Sequence, residues 1–196
     1  MGNKDLLFQI ADSQQGYFTS QQAEECGFSR ANFHRFLTSK QWIKELRGIY
    51  RLARYPITER PELVLWSLWS RSKHGKVLGV WSHVTALDIY ELSDAMPTKL
   101  HMTVPKGFRR ATNIPKPLVL HFADLSEKEV QMQQGFLVTT PLKALVDIAE
   151  EGKLAEDLII QAIQDALKRG LISRIELIQA SKTSQKLVRL INDYKL

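Results

Sequence analysis

Two short amphipathic stretches broken at Gly27, with a pair of β-prone segments split by Arg47-Gly48 just after them, leave few ways for the first 55 residues to fold. Lys4 to Gln14 places Leu6, Leu7, Ile10 and Ala11 on one stripe of a first helix, and Gly16 ends it. Tyr17-Phe18 reads as a short extended link. Ser20 is a suitable N-cap for a second helix reaching about Cys26, with Ala23 and Cys26 on its inner face. Ser29 can cap a third helix running to Lys40, in which Phe33, Phe36 and Leu37 form the inner stripe. Two short helices joined through a glycine turn make a helix-turn-helix. The segments Trp42–Leu46 and Ile49–Leu52, joined by a tight-turn dipeptide, add a hairpin directly after the third helix. That succession predicts a winged helix-turn-helix over residues 1–55.

The charge distribution gives this region a chemistry. Residues 29–54 carry seven Lys or Arg and a single acid, Glu45, a net +6 that equals the formal excess of the whole 196-residue chain. The outward side of the third helix carries Ser29, Arg30, Asn32, His34 and Arg35; the hairpin carries Lys44, Arg47 and Arg51. Arg and Asn can read guanine and adenine edges with paired hydrogen bonds, and basic residues on a wing neutralise phosphates. These eight residues are the expected double-stranded DNA contacts. The competing reading is a winged helix that contacts only protein, its basic residues merely solvated.

Residues 56–196 read as a second, mixed α/β domain, so that the whole chain is α+β. After Pro56 and Pro61, an apolar helix carries Leu63, Trp66, Leu68 and Trp69, and Ser82 can cap another over His83 to Leu92. Strands are expected at Lys99–Val104, Leu118–Phe122 and Gly135–Thr139. Thr140-Pro141 opens a helix with Thr at the N-cap and Pro at the first helical position. A further helix spans about Glu156 to Lys168 and stops at Gly170. A second basic cluster, Lys106, Arg109, Arg110 and Lys116, falls in a connection between strands, where it could add to a nucleic-acid or antitoxin surface.

Several functions are set aside by what the sequence lacks. One cysteine, Cys26, allows no disulfide framework and no cysteine-based zinc site. Apolar runs are far shorter than the ~20 residues of a membrane span, and the acid at Asp5 interrupts any signal-like start, so a cytoplasmic protein without membrane association is expected. There is no glycine-rich phosphate loop, no His-Glu-x-x-His helix and no Gly-x-Ser-x-Gly elbow, so no catalytic residue and no cofactor are expected. The five histidines, His34, His74, His83, His101 and His121, lack metal-ligand spacing, and no metal is expected. His101 and His121 fall in separate strands and could pair across a sheet in a structural role. Asp147, on an apolar helix, reads as a buried hydrogen-bonding carboxylate.

Four motifs in order, Gly48-Ile-Tyr-Arg-Leu52 with Tyr55-Pro56, Ser82-His-Val-Thr-Ala-Leu87, Leu100-His-Met-Thr-Val-Pro105 and Val138-Thr-Thr-Pro-Leu-Lys-Ala-Leu-Val-Asp147, resemble the AbiEi antitoxin family of abortive-infection toxin–antitoxin systems. The resemblance spans about residues 5 to 180, with Lys143 where the family usually has Arg. It implies a winged domain that represses its own operon at repeated promoter sites. It further implies a C-terminal domain that counters a nucleotidyltransferase-like toxin without a tight complex. Lys143 and Asp147 would then belong to the antitoxin domain's signature, although as an i, i+4 opposite-charge pair they also have a purely structural reading. Two alternatives stand beside this one: a nuclease or nucleotide-processing enzyme with a winged DNA-binding arm, and an interaction module that holds a toxin directly.

Overall fold

The computed structural model describes residues 2–111 and 113–195. The chain divides into two compact units, Met1–Gly79 with Met132–Leu137, and Val80–Gln131 with Val138–Leu196. It is an α+β protein with an N-terminal winged helix-turn-helix region followed by a mixed α/β region.

In the first unit, α1 (Asn3–Asp12), β1 (Tyr17–Thr19) and α2 (Ser20–Glu25) precede a 3-10 turn over Arg30–Asn32 and α3 (Phe33–Thr38). Strands β2 (Trp42–Leu46) and β3 (Ile49–Leu52) form the hairpin, and α4 (Pro61–Trp69) follows. Tyr17-Phe18 is thus a strand and not a link: β1 pairs antiparallel with β3 in a three-stranded sheet ordered β1-β3-β2. The cap of α2 moves one residue from the expected Ser20. Thr19 accepts from the Gln22 N–H while the Gln22 side chain accepts from the Thr19 N–H, satisfying two donors at once. Ser29 makes no side-chain cap bond, and the expected single third helix begins instead as a 3-10 turn before the α-helical Phe33–Thr38.

The core of this unit is an aromatic cluster around Trp42, which is 5% exposed. Phe36 stacks on the indole at 4.5 Å, and Phe18, Phe33 and Phe28 meet it edge-on at 4.8, 5.1 and 5.3 Å. β1, the loop after α2, α3 and the hairpin are therefore held by one contiguous set of rings, with Leu7, Ala11, Ala23 and Cys26 filling the remainder. The hairpin turn is anchored. The Gly48 carbonyl, at φ +72°, accepts from the Ser20 N–H at 3.0 Å and from the Arg71 guanidinium at 3.2 Å. A Cβ there would stand 3.0 Å from that guanidinium, so glycine satisfies both the turn and the close approach.

The second unit contains most of a five-stranded sheet ordered β6-β5-β4-β8-β7. Its strands are β4 (Val80–Trp81), β5 (Leu100–Val104), β6 (Leu118–Phe122), β7 (Val130–Gln133) and β8 (Phe136–Thr139). β5 runs antiparallel to β4 and parallel to β6, while β4 and β8 are parallel. β4 and β7 are absent from the sequence-based expectation: two residues are too few for a period, and Val130–Gln133 alternates with mostly polar residues. Helices α5 (His83–Ile89), α6 (Pro141–Glu151), α7 (Glu156–Lys168), α8 (Arg174–Ser181) and α9 (Gln185–Tyr194) complete the unit. Thr140 caps α6 by accepting from the Lys143 N–H, as expected. Ser82 takes the N-cap position of α5 without a side-chain cap bond. α6 buries Ala144, Leu145, Ile148 and Ala149, and α5, α7, α8 and α9 all pack against it. Among the described residues no helix is long and apolar enough to cross a membrane.

Candidate functional site

Two regions draw together residues singled out by the sequence. The first is the outward face of α3 and the hairpin. Ser29, Arg30, Asn32, His34, Arg35, Lys44 and Arg47 are all exposed. Arg30 contacts Glu24 at 2.9 Å, a surface pair of the kind worth about 0–1 kcal/mol. His34 lies beside the Thr38 hydroxyl, and the Arg35 guanidinium rests 5.1 Å over the Phe36 ring. Arg51 differs from these. Its side chain, 20% exposed, donates to Glu45 at 2.9 Å on the face of the sheet, and Glu45 is itself the only acid of the basic stretch. Lys44 and Arg47 have no acidic partner among the described residues within salt-bridge distance.

The basic loop between β5 and β6 is the lesser feature. Lys106, Arg109, Arg110 and Lys116 are exposed, but Arg109 turns back to donate to the Phe108 and Lys106 carbonyls at 2.8 and 3.3 Å. Burial lowers the pKa of Arg110 from its ordinary value.

The second region is one face of α6 and what it meets. Lys143, Asp147 and Glu151 follow each other at four-residue steps and so share a helix face. Lys143 Nζ lies 2.5 Å from Asp147 Oδ1 and 3.9 Å from Glu129. His101 on β5 and His121 on β6 point to the same side of the sheet, because the parallel register sets His121 opposite Thr103, two residues from His101. Their ring nitrogens, Nδ1 of His101 and Nε2 of His121, stand 3.1 Å apart. His83 stacks on His121 at 3.5 Å between centroids, with ring planes 13° apart. His83 takes φ +54°, a left-handed conformation uncommon for a side-chain-bearing residue, and this turns its ring to where Ser82 Oγ lies 2.9 Å from Nδ1. Thr103 donates in turn to Ser82 Oγ at 2.8 Å.

The comparisons bear on the first region. Residues 5–53 match the family model of AbiEi antitoxin transcriptional regulators. This N-terminal segment is similar to that family. Over nearly all of its length the chain is also similar in fold to a crystal structure of the RV2827C protein from Mycobacterium tuberculosis. The TM-score is 0.55 at 13% identity, with 97% of this chain and 76% of that one covered. No curated protein matches the chain significantly.

The sequence anticipated a pairing of His101 with His121. It presents the five histidines as scattered, however, and the convergence of His83, His101 and His121 was missed. The available signal was the period of Lys143, Asp147 and Glu151 along α6; the sheet register that brings the rings there is not readable from one sequence. Burial is the main cause of the cluster's electrostatics. It lowers His83 and His121 to about 4, with the mutual repulsion of the rings adding to the effect at His121, and it lowers His101 as well. Burial also raises the Asp147 carboxyl, against the pull of Lys143. At Glu151 burial is outweighed by the Lys153 hydrogen bond and the neighbouring cations, so its pKa is lowered.

A pH prediction follows from those directions. The unfolded chain protonates His83 and His121 near 6.5, whereas the folded chain resists until about 4. The unfolded state therefore binds more protons across that window, and stability falls as pH drops from 6.5 towards 4. Each ring can contribute at most about 1.4 kcal/mol per pH unit, and less for rings still partly open to solvent. Urea midpoints measured in chelator between pH 7 and 5, above most carboxylate titration, should decline in the wild type. They should decline less in His83→Gln/His121→Gln, and equal slopes would refute the assignment.

Proposed function

We propose that this chain represses its own operon by binding repeated promoter sites in double-stranded DNA through residues 1–55, and that residues 56–196 act as an antitoxin domain. On this reading it counters a nucleotidyltransferase-like toxin without a tight complex, works in the cytoplasm, and has no catalytic activity or membrane association of its own. The observation that carries the DNA half is the coincidence of the family match with an exposed basic face on α3 and the hairpin. Lys44 and Arg47 are the phosphate contacts, while Arg30, Asn32 and Arg35 face base edges, Ser29 and His34 flank them, and Arg51 fixes the sheet through Glu45. The antitoxin half draws on Lys143 and Asp147, with Lys106, Arg109, Arg110 and Lys116 as an additional surface.

Specificity tests the reading. A bidentate arginine–base contact discriminates by about 1–3 kcal/mol. Arg35→Ala should therefore weaken binding to the chain's own promoter by roughly 5- to 150-fold, while binding to random duplex changes much less. Equal losses on both duplexes in a band-shift titration would reduce Arg35 to a phosphate contact. Undiminished promoter binding would remove α3 from the interface.

A further inference from the structure

We infer that His101, His121 and Glu151 form a binding site for one divalent transition-metal ion of the zinc class, with His83 as the residue that positions His121. The inference stands on the geometry of the second unit and does not depend on the antitoxin reading. One ligand atom from each of the three residues lies within 4.8 Å of the others. They come from three separate elements, β5, β6 and α6, so no local turn or cap accounts for their meeting. The two imidazole nitrogens stand 3.1 Å apart. Zinc–nitrogen bonds of 2.0–2.1 Å in a tetrahedron place neighbouring ligand atoms about 3.3 Å apart, so these two rings already have the spacing of adjacent ligands.

A bond between the two rings would satisfy one nitrogen of each, but it gives no reason for a carboxylate within the same reach. Glu151 does contact Lys153 at 2.7 Å. The Glu151 side chain is only 16% exposed, but the lysine is 76% exposed, so the ammonium can swing out into water and leave the carboxylate to a divalent ion. His83 supports the site by packing against His121. Its ring lies flat on His121, and the chain Thr103–Ser82–His83 fixes it from behind. The left-handed backbone at His83 is retained at some energetic cost, as is common where a side chain must be aimed.

Two imidazoles and one carboxylate suit zinc and its neighbours in the first transition row better than calcium or magnesium, which prefer all-oxygen sets. Three protein ligands leave a fourth position for water, the pattern of an open zinc site rather than of a closed structural one.

The full-length chain, stripped with chelator and titrated calorimetrically with zinc chloride, should bind one zinc ion per chain and melt at a higher temperature when loaded. Glu151→Gln and His121→Gln should each weaken binding by at least about 10-fold, and His83→Ala should weaken it by less than either, because His83 only packs against a ligand ring. His74→Gln, at an exposed histidine of the other unit, should bind like the wild type. Cobalt(II) should give visible ligand-field bands in the wild type that His121→Gln loses. Absence of saturable zinc binding in the wild type, or unchanged affinity in Glu151→Gln, would overturn the site. Because Glu151→Gln is isosteric, that variant decides the matter even if His121→Gln fails to fold, with circular dichroism reporting its fold.

Discussion

Truncating Trp42 to Ala should destabilise the winged unit by about 3–5 kcal/mol, the range for removing a large buried aromatic. Four aromatic rings lie between 4.5 and 5.3 Å from the Trp42 ring, and they come from β1, α3 and the loop that joins α2 to α3. Removing the indole leaves each ring facing a void and uncouples α3 from the hairpin at the same stroke. Aromatic pairs add about 0.5–1.5 kcal/mol each beyond their buried area, so the upper half of the range is expected. Domains hold only about 5–15 kcal/mol in total, and the loss should unfold a large fraction of this unit at growth temperature. Urea denaturation followed by circular dichroism checks the magnitude, and a band shift should show specific DNA binding lost with it. A cost under about 1 kcal/mol would mean that the cluster does not organise the unit. Trp42→Phe keeps a ring in place and should lose much less.

The winged unit was legible because its signals are local. The apolar stripe of α3, the glycine after α2 and the Arg47-Gly48 turn each specify structure within a few residues, and the hairpin boundaries agree with the sequence expectation at both strands. Where the reading slipped, two local choices were close in energy. Thr19 and Ser20 are adjacent N-cap residue types, and only the reciprocal bond with Gln22 selects Thr19. Tyr17–Thr19 has no alternation to mark it as a strand, since all three residues are buried. The cluster around His83, His101 and His121 was illegible for a different reason. His101 and His121 meet only because β5 and β6 run parallel in one particular register, and a slip of one residue would send His121 to the opposite face. His83 joins them through a left-handed backbone that propensity disfavours. Convergence of this kind is a property of topology. The same holds for Arg51: the sequence shows a basic residue on a strand, while its pairing with Glu45 depends on which face of the hairpin each occupies.

That pairing shapes the expected result for the wing. Lys44→Ala/Arg47→Ala should weaken binding to every duplex alike, because phosphate contacts carry no sequence information. Each neutralised phosphate contributes about −0.9 to the slope of log K against log salt, so losing two should flatten the slope by about 1.8. At about 0.15 M salt the same two contacts correspond to roughly 30-fold in affinity, and the deficit should grow as salt is lowered. Neither side chain contributes to the aromatic cluster and both are exposed, so the melting temperature should stay near that of the wild type. Arg51→Ala supplies the contrast. Its guanidinium is held by Glu45, so its removal should leave the salt slope nearly unchanged and act instead on stability, through the partly buried Glu45 left without its partner. Titrations of the promoter site and of a random duplex across a range of salt would separate these outcomes. If the double variant keeps the wild-type slope, the hairpin is not the phosphate-binding wing. If Arg51→Ala flattens the slope as much as the double variant does, the Glu45 pair opens on DNA and Arg51 joins the phosphate contacts.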